Sequence, residues 1–90
     1  MTYKVVLKKN AEKYYLKTDK KQTKKLDVAF SDMEENPRGI NSKKLKGALT
    51  GLWRYRVGSL RLIYEIIDSE KQVNVILILP RGDIYKKGEL

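Results

Sequence analysis

Arg54, Arg56 and Arg61 are the residues of this chain most suited to chemistry, and their spacing is what makes them so. They lie in residues 52–66, LWRYRVGSLRLIYEI. With period-two alternation, Trp53, Tyr55 and Val57 share one face of a strand, and Arg54 and Arg56 share the other. Gly58-Ser59 is a two-residue turn signal, and a hairpin closed there pairs Val57 with Leu60, Arg56 with Arg61 and Tyr55 with Leu62. Like charges directly opposite one another destabilise a ladder. An anion held between the two guanidinium groups would offset that cost. Guanidinium binds phosphate through paired hydrogen bonds and stays charged at any working pH. The chemistry such a cluster suits is the binding of a phosphodiester and the stabilisation of charge developing on its oxygens.

These arginines need elements to hold them. Residues 3–8, YKVVLK, read as a first strand. Asn10 is placed to cap a short helix from Ala11 to about Thr18, and Asp19, with Gln22 three residues on, to cap a second. Thr23, Leu26, Ala29, Phe30 and Met33 form one apolar stripe on that second helix, which should stop at Asn36 before Pro37. Residues 37–51 read as a basic linker. Strands follow over about 52–57, 60–67 and 73–79, the last nearly all apolar, as suits a central strand ended by Pro80. The order β-α-α-β-β-β implies an α+β fold: a small antiparallel sheet with an N-terminal helical hairpin packed on one face. Tyr55, Val57, Leu60, Leu62, Tyr64 and Ile66 belong to the helix-covered face, with Trp53 and Tyr64 in the core. The arginines belong to the other.

The ninety residues suit a single domain spanning 1–90. Twenty Lys and Arg against eleven Asp and Glu give a net charge of +9 and a pI near 9.8. That balance is the electrostatic footprint of a nucleic-acid binder, the alternative being a merely basic, solvated surface. The absence of Cys and His removes disulfides, thiolate and imidazole metal ligands, and the commonest general base. No metal site and no cofactor are expected. No apolar run reaches the ~20 residues that span a bilayer, and no signal-peptide pattern opens the chain, so the expected location is the cytoplasm, away from membranes.

Facing Ile67 with Val73 across the DSEKQ loop brings Leu79 opposite Arg61. Arg81 would then share the arginine face, with Tyr85 following in PRGDIYKK. Lys43, Lys44 and Lys46 precede the arginine strand, and Lys86 follows Tyr85. Taken together, Arg54, Arg56, Arg61 and Arg81 with a tyrosine suit an RNA phosphodiester, since Tyr stacks on bases or holds a hydroxyl. Taken singly, each also fits an ordinary exposed strand position. Glu65 reads as a solvated strand residue or an arginine partner, with an acid–base role as its alternative.

KLKGALTGLWRYRVGSLRLIYEI followed by ILPRGDIYKK resembles the signature half of the RelE/ParE toxin superfamily, closest to the RelE-type messenger-RNA interferases of type II toxin–antitoxin systems. The resemblance spans essentially the whole chain, and its specific part is 45–85. It implies the fold given above and a ribosome-dependent endoribonuclease cutting messenger RNA in the A site. It carries that family's basic pair onto Arg54 and Arg56, its strand arginine onto Arg61, and its terminal arginine and tyrosine onto Arg81 and Tyr85. On that basis Arg56, Arg61, Arg81 and Tyr85 are the catalytic candidates. Arg54, Lys43, Lys44, Lys46 and Lys86 are the RNA-binding ones. The sequence departs from some members in having arginine rather than lysine at 54 and 56, and from other branches in lacking a histidine near the terminal tyrosine.

The implied reaction is attack of a ribose 2′-hydroxyl on the adjacent phosphorus, leaving a cyclic 2′,3′-phosphate and a 5′-hydroxyl end without a metal. The resemblance also implies a cognate RelB-like antitoxin, with the ribosome and mRNA as further partners. Two rivals stand beside this reading. ParE-like toxins share the fold and poison DNA gyrase. Non-catalytic RNA-binding sheets usually display aromatics on the open face, where this chain places arginines.

Overall fold

The computed structural model describes residues 2–80. Seven elements follow in order: β1 (Lys4–Leu7), α1 (Lys9–Lys17), α2 (Lys20–Glu35), β2 (Ser42–Lys44), β3 (Trp53–Val57), β4 (Leu60–Ile67) and β5 (Gln72–Pro80), with single 3-10 turns at Gly47–Leu49 and Asp68–Glu70. The strands form one sheet in the order β1-β5-β4-β3-β2.

The helical hairpin follows local sequence rules except at one end. Asp19 caps α2 by accepting from the Gln22 N–H at 2.9 Å, and Asn36 closes the helix before Pro37. Asn10 does not cap α1. That helix starts two residues earlier, with Lys8 as its extended N-cap making no side-chain bond. The Lys8 N–H instead donates to the Val75 carbonyl at 2.9 Å, so β1 runs straight into the helix and tertiary pairing sets the boundary. A helix of nine residues has little stability alone. It is held by fully buried Ala11, by the half-buried Tyr14 and Tyr15, and by the Tyr15 hydroxyl donating to Asp27 on α2 at 2.8 Å.

Leu26, Ala29 and Met33 of α2, at helical spacing, are fully buried and meet Tyr55, Leu60, Leu62, Tyr64, Val73, Val75 and Ile78 of the sheet. Burying one such aliphatic side chain stabilises the fold by about 1.5–3 kcal/mol. Half-buried Trp53, Val57 and Ile66 pack against the same core. Tyr64 is buried completely yet satisfied: its hydroxyl donates to the Pro37 carbonyl at 2.6 Å. One phenol has one proton, so the Ser42 hydroxyl 2.7 Å away is the donor in the second bond. These two bonds anchor the linker onto the sheet.

The sheet differs from expectation in three respects. The first strand joins it parallel to β5, giving a mixed sheet, and the linker contributes β2, an edge strand antiparallel to β3. With β1 on one side and β4 on the other, β5 is interior, as its apolar run requires. The β4–β5 register starts one residue away from expectation, with Ile67 facing Gln72 and Ile66 facing Val73. A bulge between Ile63 and Tyr64 leaves Ile76 as an extra residue on β5 and restores the count. Leu79 therefore faces Arg61 as expected.

Candidate nucleic-acid interface

The β3–β4 hairpin pairs Val57 with Leu60, Arg56 with Arg61, Tyr55 with Leu62 and Arg54 with Ile63. Gly58 has φ +57 and Ser59 does not share it, the requirement of a type II′ turn. Helix α2 reaches this turn: a methyl group on Gly58 would lie 3.3 Å from Lys25 Nζ. An ammonium is thus brought to the tip of the arginine hairpin. Its helical position reads as a solvated face, and no local sequence signal connects it to residue 58.

Away from the helices, the outer face carries Arg54, Arg56 and Arg61 in adjoining rungs, with Lys43 of β2 opposite Arg54. Arg56 is exposed and Arg54 half-buried, whereas Arg61 is only 3% exposed. The Arg61 Nη1 lies 3.4 Å from the Leu60 carbonyl, which helps to aim the guanidinium. Lys44, one residue from Lys43, is registered with Trp53 and therefore belongs to the opposite side of the strand. Lys43, Lys44, Leu45, Lys46 and Arg54 line a groove of about 210 Å³ at the rim. The structure thus brings together Arg54, Arg56, Arg61, Lys43 and Lys46, and Lys44 borders the same groove from a register position on the other side of β2. Arg81, Tyr85 and Lys86 lie outside the described residues.

Several acidic groups among the described residues have partners of their own. Glu65, on the arginine side of β4, accepts from the Asn74 side chain at 3.0 Å, and Gln72 donates to Asn74 at 2.7 Å. Arg38 grips Asp68 through two nitrogens at 2.7 and 3.2 Å, with the Tyr3 hydroxyl donating to Asp68 at 2.7 Å. The Arg38 guanidinium, aided by Tyr3, holds the Asp68 carboxyl down at about 2. Arg38 also lies 5.7 Å from the centre of the Trp53 ring. It joins the first strand, the linker and the β4–β5 turn, a structural use of arginine that the sequence did not distinguish from the binding ones. On the helix side, the Tyr55 hydroxyl donates to Asp32 at 2.6 Å, and burial followed by this bond raises its pKa to about 12. Tyr55 is thus a lock between α2 and β3 rather than a proton donor near pH 7.

An outward cluster of guanidinium groups, one buried and aimed, beside a lysine edge strand can bind a polyanion backbone and stabilise charge on one phosphate. Comparison with known proteins agrees with the fold and the toxin resemblance. Residues 5–85 match the family model described as the ParE toxin of the type II toxin–antitoxin system, parDE. Toxin RelG of Mycobacterium tuberculosis (strain ATCC 25618 / H37Rv) is 32% identical over 62 residues, covering 69% of this chain and 70% of that protein. In the toxin–antitoxin complex RelBE2 from Mycobacterium tuberculosis, one chain superposes with a TM-score of 0.80 at 26% identity, covering 90% of this chain and 100% of that one. A chain of the archaeal RelE–RelB complex from Pyrococcus horikoshii OT3 gives a TM-score of 0.77 at 28% identity, covering 91% and 98%. The chain belongs to the RelE/ParE superfamily and is a toxin of a type II toxin–antitoxin system.

Proposed function

We propose that this toxin is a ribosome-dependent endoribonuclease that cuts messenger RNA in the A site, acting in the cytoplasm and restrained by a RelB-like antitoxin. The observation that carries the reading is the Arg56–Arg61 pair, two cations facing each other on the open side of the sheet, with Arg54 and Lys43 in the next rung. In the proposed reaction the ribose 2′-oxygen attacks phosphorus, the bond to the 5′-oxygen breaks, and negative charge gathers on the non-bridging oxygens. Arg61 stabilises that charge, Arg56 holds the phosphate beside it, and Arg54 with Lys43 and Lys46 positions the neighbouring backbone. Arg81 is assigned to the leaving oxygen and Tyr85 to the nucleotide, both from the family resemblance, with Lys86 and Lys44 as further backbone contacts. An arginine is a poor base near neutral pH. Positioning and charge stabilisation therefore carry the rate, and the ribosome supplies the geometry of the strand.

The test is a cleavage assay on translating ribosomes with the parent and with an Arg61 variant. Cuts with 2′,3′-cyclic phosphate ends, lost in the variant, are expected. Efficient cleavage of naked RNA would refute the dependence on ribosomes. A second reading keeps its place because the matching family model is described by the ParE name. Inhibition of DNA gyrase supercoiling, with translation untouched, would decide for it.

A further inference from the structure

The lysines of α2 are arranged against the helix that carries them. Lys20, Lys21, Lys24 and Lys25 fill its first two turns, with no acidic residue in the first turn and no basic residue in the last. Positive charge at a helix start opposes the macrodipole. Lys20 with Lys24, and Lys21 with Lys25, are like charges four residues apart, which also destabilise a helix. The carboxylates flanking them in the sequence are engaged: Asp19 accepts from the Gln22 N–H and Asp27 from the Tyr15 hydroxyl. No ion pair among the described residues involves these lysines. Helix stability does not account for such a row.

The row leads to the tip of the arginine hairpin and past it. Asp32 holds the Tyr55 hydroxyl, and Lys25, two turns earlier on α2, reaches Gly58. The helix therefore runs beside β3 with its lysine end towards the turn. Lys20, Lys21 and Lys24 are exposed, whereas Lys25 is half-buried. A methyl group on Gly58 would meet the Lys25 Nζ at 3.3 Å, its Cδ at 3.6 Å and its Cε at 3.9 Å. The stem thus lies along the turn and holds the ammonium there. Lys21 stands one helical turn, about 5.4 Å, further out. From Gly58 back to the Arg56–Arg61 rung is two residues of strand, roughly 7 Å. That is about the step between neighbouring phosphates of an extended strand.

From this continuity we infer that Lys25 and Lys21 extend the phosphate track of the arginine face round the hairpin tip. They bind phosphates of the same RNA strand, beyond the one held by Arg56 and Arg61. The two residue types divide the work. A guanidinium grips one phosphate through paired hydrogen bonds and fixes its orientation. An ammonium is a point charge with three rotatable donors, and it suits a phosphate that needs holding but not aiming. The strand then lies along the whole hairpin, from Lys43 and Arg54 through Arg56 to Lys25 and Lys21. A polyanion with evenly repeated charge gains from every step of that track and offsets the repulsion within the row. The inference rests on the proposed RNA reading and adds to it two residues and a direction for the strand.

The experiment measures fluorescence anisotropy of the full chain with 2′-O-methyl RNA, which lacks the attacking hydroxyl and stays intact. A short oligonucleotide spans only the arginine rungs, a long one continues past the tip, and both are titrated over a salt series. Lys21→Gln with Lys25→Gln should weaken the long oligonucleotide about fivefold at low salt and lower its slope of log K against log salt by about 1.4, two contacts at about 0.7 each. The short one should change far less. Lys25→Arg keeps the charge and should keep the parent slope. Lys4→Gln removes one charge at the far corner of the sheet, beside Gln72, and should leave the slope unchanged. The double variant should melt no lower than the parent, because it removes a like-charge pair. Equal losses for both lengths, or a slope loss in Lys4→Gln, would make the lysines part of a diffuse charge and overturn the proposal. A second RNA bound per chain would assign them to a separate strand, and polyglutamate that displaces the long oligonucleotide from the parent but not from the double variant would assign them to an acidic protein. Either result would overturn it too. Loss of the length dependence with ribosomal cleavage intact would remove this inference alone. Length-dependent binding without cleavage would remove the nuclease reading and leave this one standing.

Discussion

Arg56 lies directly across the β3–β4 ladder from Arg61, and the two differ in exposure: Arg56 is open to solvent and Arg61 is 3% exposed. The buried stem fixes the direction of one guanidinium, and the exposed one can close on a ligand. Arg61→Met keeps most of the buried stem and removes the charge. It should melt close to the parent, since replacing a buried cation by an apolar group of similar volume is often neutral or stabilising. Cleavage on translating ribosomes should nevertheless fall by roughly 10²–10³, the size of a lost oxyanion donor. Arg61→Ala adds a packing loss, so its melting temperature should lie below that of Arg61→Met. Arg56→Ala should stay within about 0.5 kcal/mol of the parent in stability. An unfolded Arg61→Met variant would make the guanidinium a structural group.

Asp68 gives the fold an acid limit. Its carboxyl is held at about 2 by the Arg38 guanidinium first and the Tyr3 hydroxyl second, against ~3.9 in an unfolded chain. The native pKa is the lower one, so the unfolded chain takes up the proton first. The contribution is complete above the unfolded value and is lost as pH falls from about 4 towards 2. Both side chains are well exposed, which keeps the effect modest and sensitive to salt. Melting curves of Asp68→Asn should lie below the parent at neutral pH and converge with it near pH 2. Parallel acid limbs in the two proteins would show that the Arg38 contact contributes nothing.

The arginine face was legible in the sequence because period-two alternation and one turn signal suffice to pair Arg56 with Arg61. The capping of α2 was legible for the same reason: Asp19 and Gln22 act within one turn of helix. What the sequence hid are long-range events. Asn10 has the chemistry of a cap, but the bond from Lys8 to Val75 moved the boundary. The three residues of β2 sit in a basic linker without an apolar alternation, and only the edge of β3 makes them a strand. The bulge at Ile76 is invisible in VNVILIL, where every residue from Val75 to Leu79 is apolar and either register buries a similar surface. Its extra residue cancels the one-residue offset at the Ile67 end, so Arg61 and Leu79 face each other by way of an irregularity.

Leu26 and Leu62 are both fully buried, one on α2 and one on β4, and they meet in the same core. Truncating either to Ala should cost about 2–5 kcal/mol, the transfer loss plus the cavity left behind. Denaturant midpoints with unchanged slopes would show this, and a loss below 1 kcal/mol at either site would mean that the helical hairpin packs more loosely than described.

Gly58 takes φ +57 at the tip of the arginine hairpin, a conformation that costs an L-residue roughly 1–2 kcal/mol. Gly58→Ala should therefore destabilise by about that amount and also press on Lys25 Nζ, 3.3 Å from the new methyl. Gly58→Asn should be milder, because Asn tolerates a positive φ in primed turns more readily than Ala. Chemical denaturation orders the three proteins. An Ala variant as stable as the parent would mean that the turn relaxes to another type.

Strand alternation makes the last prediction the sharpest for RNA. Lys43 is registered with Arg54 and shares its face, whereas Lys44 is registered with Trp53 on the other side of β2. Both are exposed, and both add equally to the net charge. If the arginine face carries the polyanion, Lys43 contacts phosphate directly, and Lys44, at the border of the same groove, makes the weaker contact. Each phosphate contact on a single strand contributes about 0.7 to the slope of log K against log salt. Lys43→Gln should therefore lower the slope by about 0.7, and Lys44→Gln should lower it by less. Fluorescence anisotropy with a short single-stranded RNA over a salt series measures both. Equal slope losses in the two variants would show that RNA senses the whole charge of the domain and not a face of its sheet.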